Sequence, residues 1–456
     1  MSHKPDPNKS VNLTIDGVPV TVPEGTRILE AAKKANVKIP TLCEHPDLCK
    51  RAVCRICVVE CDGRGKLIAA CANDVWEGVS VVTNNLRLFD TRKTILELIL
   101  ANHPQDCLTC IRNKKCELQD LAAEYGIRES SFAGNDSGGK PVIESDTIVR
   151  GMDKCVKCGR CVEACQEEQT IRAINTSRRS HEYGISAPYN QPLAESGCVF
   201  CGRCAEVCPV GAIYEHDRTA EVWASLNDKE RRVIAQVSSG FDCALKKELA
   251  LDCENKDAVT IGKIVTALKT LGFDKVYDGK VSAEISESEL SEELQKRIGN
   301  GGKQQGTLLP MISGNSEGVY LFIKNFYPDL AGHLALSRSP RRIFAEAIKG
   351  EYAAAEKAEN SGVLAVSFVQ SIAGKYGAGG KADMAVTAAE LARMINLAGI
   401  DIAGLSESPF DSVRISPQKG SSGAKKEKAC GFAQARKALE AFRRKETAFQ
   451  WLEIEV

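Results

Sequence analysis

The chain has 456 residues, with 60 Lys and Arg against 60 Asp and Glu, and 20 cysteines. Balanced charge excludes a net field that would recruit nucleic acid or an anionic membrane, and no apolar run reaches the roughly 18 residues of a spanning helix. The length predicts roughly three domains of about 150 residues each. So many thiols, with no charged-then-apolar leader at MSHKPDPNKS, read as reduced, metal-loaded, cytoplasmic and anaerobic rather than as a secreted disulfide framework.

The first segment, VNLTIDGVPVTV, alternates apolar residues at Val11, Leu13, Ile15 and at Val18, Val20, Val22, with Asp16-Gly17 as the turn. That pattern predicts a β-hairpin. ILEAAKKA follows with Ile28, Leu29, Ala32 and Ala35 at helical spacing and Thr26 as cap. Hairpin then helix opens a β-grasp fold. Next come Cys43, Cys54, Cys57 and Cys71, spaced C-x10-C-x2-C-x13-C, and four thiolates suffice for a 2Fe-2S cluster. Cys49 and Cys61 lie among them and read as packing or surface thiols, with the Cys54/Cys57 pair anchoring the ligand choice.

A helix is predicted across LRLFDTRKTILELILAN, with Leu88, Ile95, Leu98 and Ile99 as its apolar stripe, and it runs into His103, Cys107, Cys110 and Cys116. A lone histidine is ordinarily a satisfied polar residue. Three cysteines at ligand spacing reverse that expectation, and a neutral imidazole ligand raises a cluster's potential, as in Rieske centres. Glu117 to Gly126 reads as helical, and residues 130 to 141 as a Gly-rich linker.

Two runs of four cysteines follow, Cys155, Cys158, Cys161, Cys165 and Cys198, Cys201, Cys204, Cys208, each C-x2-C-x2-C-x3-C. In this spacing the fourth cysteine of each run ligates the other cluster. One 4Fe-4S cluster therefore takes Cys155, Cys158, Cys161 and Cys208, and the other Cys165, Cys198, Cys201 and Cys204. Structural zinc takes cysteine pairs with a longer spacer. Pro209 follows the second run as in bacterial ferredoxins, and Gln166 stands at the matching place after the first. Beyond about residue 221 only Cys243, Cys253 and Cys430 remain, and no role is assigned to them. IGKIVTALKTLGF, RRIFAEAIKGEYAAAEKA and AAELARMINLAGI are amphipathic, and VLAVSFV (363 to 369) reads as a buried strand, which together predict an α/β domain. GNGGKQQG (299 to 306) and YGAGGKAD (376 to 383) lack the spacing of phosphate loops. No Ser/His/Asp constellation and no flavin or nicotinamide fingerprint is visible.

The cysteine-bearing half resembles the head of iron-only hydrogenases and the large cluster-bearing subunit of respiratory NADH dehydrogenase. The second half resembles the catalytic domain of iron-only hydrogenases through IGKIVTALKTLGFDKVYD, PMISGNSEGVYLFIKNFYPDL, SRSPRRIFAEAIKGEYAAAEK and VTAAELARMINLAGID. The resemblance implies an α/β multidomain protein. It begins with a β-grasp 2Fe-2S domain over 1–84 and a 4Fe-4S domain with one histidine and three cysteine ligands over 85–128. An α+β two-cluster ferredoxin domain over 141–220 and a degenerate hydrogenase-like domain over 221–456 complete it. Where the family has an adjacent cysteine pair this chain has Asn315 and Ser316. The family's Met-Pro-Cys segment reads Val369-Gln370-Ser371, and its C-terminal Gly- and Cys-rich motif is missing. Thiolate is the ligand low-potential clusters select, so the hydrogen-evolving cluster is expected to be lost.

The resemblance further implies an electron-transfer subunit, with no substrate pocket of its own, in an electron-bifurcating complex. Its expected partners are an NADH-binding flavoprotein subunit, a small 2Fe-2S subunit, ferredoxin and an NADP-binding flavoprotein subunit of a transhydrogenase, in a hetero-oligomer. The alternatives are a subunit wiring a formate dehydrogenase, an iron-only hydrogenase with an atypical site, and a non-redox sensor or assembly platform.

Overall fold

A computed structural model describes residues 6, 9–49, 51–62, 65–134, 141–251, 257–299, 308–314, 316–336, 338–356, 362–377, 383–412, 426–444, 449 and 451–455. The chain divides into two compact units. The first comprises Met1–Val142, Val149–Pro192 and Arg203–Tyr214, and the second Ile143–Ile148, Leu193–Gly202 and Glu215–Val456.

In the first unit, β1 (Ser10–Ile15) and β2 (Val18–Pro23) form the predicted hairpin, Ile15 opposite Val18. Asp16 and Gly17 both adopt positive φ, as a two-residue hairpin turn requires. With β3 (Val58–Cys61), β4 (Ile68–Ala69) and β5 (Ser80–Val82) they make a mixed sheet in the order β2-β1-β5-β3-β4, in which β1 and β5 run parallel. Helix α1 (Ile28–Lys34) packs Ile28, Leu29, Ala31 and Ala32 into its core. Thr26 does not cap that helix. Its hydroxyl donates to the Pro23 carbonyl at 2.7 Å, and the N-cap position belongs to Arg27.

Helix α2 (Leu86–Ala101) starts at Asn85, whose side chain accepts the Leu88 N–H, a cap worth about 1 kcal/mol. Its buried face is Leu88, Arg92, Leu96 and Glu97, while Leu98 is 49% exposed, so the predicted stripe is rotated. Arg92 is the reason. Its guanidinium donates to the buried Val58 carbonyl at 2.6 Å, which makes a cation part of the inner face. Helix α3 (Glu117–Glu124) follows Cys116 directly. Short strands β6 (Val142–Ile143), β7 (Ile148–Arg150), β8 (Asn175–Ser177), β9 (Gly184–Ser186) and β10 (Ile213–Glu215) and the one-turn helices α4 (Arg160–Glu163) and α5 (Arg203–Glu206) frame the cysteine runs.

The second unit is conventional α/β. Helix α6 (Thr219–Leu226) leads to β11 (Arg232–Val237), α7 (Phe241–Glu248), α8 (Ile261–Leu271), β12 (Lys275–Asp278) and α9 (Gly279–Gly299). Next come β13 (Met311–Gly314), α10 (Glu317–Phe326), α11 (Pro340–Glu356), β14 (Val363–Val369), β15 (Asp383–Thr387) and α12 (Ala388–Leu397). A fully parallel sheet runs β12-β11-β14-β15, and VLAVSFV is one of its two central strands. Such strands are covered on both faces, which explains their unbroken apolar run. Val233, Ala235, Leu364, Val366, Ile264, Leu268, Leu391 and Ile395 share its core. A second parallel sheet, β13-β17-β16, pairs β13 with β17 (Trp451–Glu455) and β17 with β16 (Lys426–Cys430), and α13 (Phe432–Arg443) connects the last two strands. No described helix is long and apolar enough to cross a membrane.

Candidate iron-sulfur sites

The N-terminal cysteines come together beside the β3–β5 core. The Cys54 N–H donates to Cys43 Sγ at 3.5 Å, and the Cys57 and Cys71 sulfurs lie 3.3 Å apart. Hydrogen bonding with Cys54 holds Cys43 down to about 6, and the side-chain hydrogen bond between Cys57 and Cys71 holds Cys57 down to about 7. Their partners Cys54 and Cys71 are pushed up in turn. The charge of Cys43 also acts on Cys57 and Cys71, so the four thiols form one electrostatic group whose full ionisation needs a compensating cation. Cys61 is packed in the apolar core and Cys49 is exposed.

His103, Cys107, Cys110 and Cys116 line one partly open pocket, together with Pro104, Asp106, Arg112, Asn113, Gln119 and Gly211. Burial and then the Lys154 charge hold the imidazole below its usual range, in the neutral form that ligates metal. His103 Nδ1 is buried with no hydrogen-bond partner among the described residues. A Cβ on Gly211 would stand 2.9 Å from Cys110 Sγ, so only glycine leaves that sulfur its place. Lys154 donates to Asp106 at 2.9 Å and its ammonium also reaches Cys110. An orphaned ring nitrogen, three thiols, a neutralising lysine and a glycine cradle together fit a cluster with mixed imidazole and thiolate ligands.

In the first ferredoxin-type loop, burial lifts Cys155 to about 11 and Cys158 to about 12 and pushes Cys161 well above the usual thiol range, and the charge of Cys208 adds to each. Cys208, the last cysteine of the second run, thus lies with the first three of the first run. Cys165 and Cys204 belong to the first unit, Cys198 and Cys201 to the second. The two loops repeat one backbone device. Lys157 and Phe200 take left-handed φ near 55°, and their N–H groups donate to Cys155 and Cys198 Sγ at 3.4 Å each. Amides turned inward on sulfur form the nests that cluster sites use.

Within the first unit, the ligand loops are stitched to one another. Leu48 packs on Ala164 and Val207, Arg51 pairs with Glu163 at 3.0 Å, and Asp47 with Arg203 at 3.6 Å. From the His103 side, Glu117 takes both ends of the Arg160 guanidinium at 2.6 and 2.7 Å, and its N–H donates to the Pro209 carbonyl at 3.1 Å. The Cys155/Cys158/Cys161 loop therefore receives both neighbours. Lys154, Arg160 and Gly211 were not singled out by sequence reasoning. The only signal was the repeated Cys-Gly-Arg-Cys and the lysine just before Cys155.

In the second unit, the Cys198–Gly202 loop is seated on α10 and on the segment after β14. Phe200 stacks on Tyr376, ring centroids 4.5 Å apart. A Cβ on Gly202 would meet Ile372 at 2.4 Å, and one on Gly318 would meet the Val199 carbonyl at 2.7 Å. Ser316 is buried, its hydroxyl without a partner among the described residues. Ser371 precedes the short turn Ile372–Lys375. Asn315, Cys253 and most of both Gly-rich loops lie outside the described residues. Cys430 closes β16, exposed, and Cys243 is exposed on α7.

Across the β11 and β14 ends, the Gln370 amide donates to the Ser239 carbonyl. Lys375, 1% exposed, donates to Glu390 at 2.7 Å, Glu215 at 2.9 Å and the His216 carbonyl at 2.7 Å. Burial, then the Glu215 charge, pushes Glu390 up to about 7. Among the described residues no group of three His, Cys, Asp or Glu side chains surrounds a single ion. In a 4Fe-4S cluster each protein ligand holds a different iron, whereas in a 2Fe-2S cluster two ligands share each iron.

Residues 231–455 match the family model for the iron only hydrogenase large subunit, C-terminal domain. Residues 92–131 match the NADH-ubiquinone oxidoreductase-G iron-sulfur binding region, 8–86 a 2Fe-2S iron-sulfur cluster binding domain and 154–212 a 4Fe-4S dicluster domain. The NADP-reducing hydrogenase subunit HndD of Solidesulfovibrio fructosivorans is 34% identical over 88% of this chain and 71% of its own length. Iron hydrogenase 1 of Clostridium pasteurianum is 31% identical over 88% and 70%. The mitochondrial NADH-ubiquinone oxidoreductase 78 kDa subunit of Neurospora crassa is 34% identical over 38% of this chain and 24% of its own length.

Fold, cysteine loops and matches define a multidomain iron-sulfur protein with 2Fe-2S, 4Fe-4S and hydrogenase-like regions. The chain belongs to the iron-only hydrogenase family.

Proposed function

We propose that this chain is the iron-sulfur electron-transfer subunit of a multisubunit NAD(P)-linked oxidoreductase, and that its hydrogenase-like half carries no hydrogen-forming cluster. Bound clusters supply one-electron carriers. Cys43, Cys54, Cys57 and Cys71 of a β-grasp domain would hold a 2Fe-2S cluster. His103, Cys107, Cys110 and Cys116 would hold one 4Fe-4S cluster, Cys155, Cys158, Cys161 and Cys208 a second, and Cys165, Cys198, Cys201 and Cys204 a third. The observation that carries the reading is the stitching of two ligand loops, those of Cys43 to Cys71 and of His103 to Cys116, onto the Cys155–Cys161 loop.

The second half supports its own part of the reading through Ser316 and Ser371, which offer hydroxyls where soft thiolates are needed, and through Gln370, which spans the strand ends. The seat it provides for Cys198 and Cys201 suits a scaffold that presents the last carrier to another subunit. The relatives named as an NADP-reducing hydrogenase subunit and an NADH-ubiquinone oxidoreductase subunit favour electron exchange with NADH and NADP; in our reading flavoprotein partners carry that exchange, ferredoxin takes part, and the complex is bifurcating. Capture of the native complex under anaerobic conditions and mass spectrometry of its subunits tests this. Flavoproteins that bind NADH and NADP are the expected companions. A molybdenum-type catalytic subunit in their place, or hydrogen turnover by the isolated chain with an artificial dye, overturns it.

A further inference from the structure

The repeated Cys-Gly-Arg-Cys places Arg160 and Arg203 at equivalent points of the two ferredoxin-type loops, yet their surroundings differ. Arg203 pairs with Glu168 at 2.9 Å, Glu206 at 3.1 Å and Asp47 at 3.6 Å. Among the described residues Arg160 has one carboxylate partner, Glu117, and its side chain is 5% exposed. Its Nε is buried with no partner among the described residues. Burial works against its charge but is outweighed by the Glu117 hydrogen bonds and by the negative potential of Glu117, Cys158 and Cys43.

Arg160 follows Gly159, whose left-handed φ of 80° and contact with Arg51 fix the loop against the segment before Cys54. It therefore stands among three ligand sets: between Cys158 and Cys161 in sequence, bonded to the residue after Cys116, and within electrostatic reach of Cys43.

We infer that Arg160 is a positioning and potential-setting residue, whose buried charge favours the reduced state of the Cys155/Cys158/Cys161/Cys208 site and of the Cys43 site, whereas Arg203, more exposed and set among three carboxylates on the other loop, does not act on those two sites. Reduction adds one electron, and so one negative charge, to a site without making or breaking a bond. A fixed cation nearby stabilises that charge, and low local dielectric enlarges the effect. The inference rests on the ligand assignment proposed above. Glu117 opposes Arg160, so the pair sets the potential as a difference.

The test is a redox titration of the full-length, anaerobically reconstituted chain followed by electron paramagnetic resonance, with iron and sulfide measured on each sample. Arg160→Gln is expected to lower the reduced-to-oxidised ratio of the affected 4Fe-4S signal at the wild-type midpoint about tenfold, ~59 mV for a one-electron couple. Arg160→Lys restores part of that shift, Glu117→Gln moves the midpoint upward, and Arg203→Gln leaves it unmoved. Fully loaded Arg160→Gln and Glu117→Gln proteins at the wild-type potential overturn the inference, as does an equal shift in Arg203→Gln. If Arg160→Gln fails to retain iron, the half-exposed Glu117 decides: an unmoved Glu117→Gln midpoint overturns the inference. A wild-type chain that binds no 4Fe-4S cluster overturns the ligand assignment instead.

Discussion

The two units solve different problems with different materials. The second closes a parallel sheet under helices and is held by a continuous apolar core from Val222 to Ile402. The first has an apolar core at its N-terminal sheet, with Cys57 and Cys71 packed in it, and around its Cys107–Cys116 and Cys155–Cys161 loops is held by ion pairs, an inward amide and small residues: Arg160 with Glu117, Arg51 with Glu163, Lys157 N–H on sulfur, and Gly211 beneath Cys110. One unit is organised by burial throughout, and the other also by the sulfurs it surrounds. Removing a ligand should therefore damage the first unit's function with little loss of the second's fold, and damage to the second unit's polar core should do the reverse.

The largest expected effect is that of Cys158→Ser, which should remove about four irons per chain and abolish reduction of the partner subunit, while far-ultraviolet circular dichroism of the chain changes little. Unchanged partner reduction would instead favour a platform role. Lys375→Met tests the opposite arm. It strands the fully buried Glu390, and loss of one member of a buried pair costs about 3–5 kcal/mol, read by thermal unfolding, with the iron of the His103 site retained.

Gly211→Ala should shift or erase the spectral signature of one 4Fe-4S site and spare the others, because the new methyl collides with Cys110 Sγ. His103→Cys should keep that site loaded and lower its midpoint, thiolate replacing a neutral ligand. The smallest effect is a change of slope. Burial raises Asp383 to about 6, against the pull of Arg341 and Lys349. A raised carboxyl binds its proton more tightly in the folded state, so the stability it contributes is present below pH 4 and lost as pH rises through 6. Asp383→Asn should flatten that slope by on the order of 1 kcal/mol in denaturant titrations at pH 4 and pH 7.

The grouping of the cysteines into loops was legible because their spacing is a direct readout of which thiols one loop can present. The hairpin at Asp16-Gly17 and the strand VLAVSFV were legible because period and turn chemistry are local. What escaped was polar burial. Helix α9 buries Ser282, Ser286, Ser291 and Arg297 rather than an apolar stripe, and Arg297, 1% exposed, donates to the Leu308, His333 and Leu334 carbonyls. Arg92 rotates α2 for a similar reason. A cation that satisfies distant carbonyls leaves no periodic trace in the sequence. The Lys375–Glu390–Glu215 group is equally silent, since it joins Lys375 to a carboxylate 160 positions away in the chain. The pairing of Met311–Gly314 with a strand at Trp451 is likewise a long-range choice that no local pattern announces.

The most direct test of the division of labour is iron quantification and hydrogen assay on one anaerobically prepared sample of the full chain. The account predicts about 14 irons, those of one 2Fe-2S and three 4Fe-4S clusters, with no hydrogen evolved or consumed in the presence of a reduced or oxidised dye. Iron well beyond that number together with hydrogen turnover would contradict it.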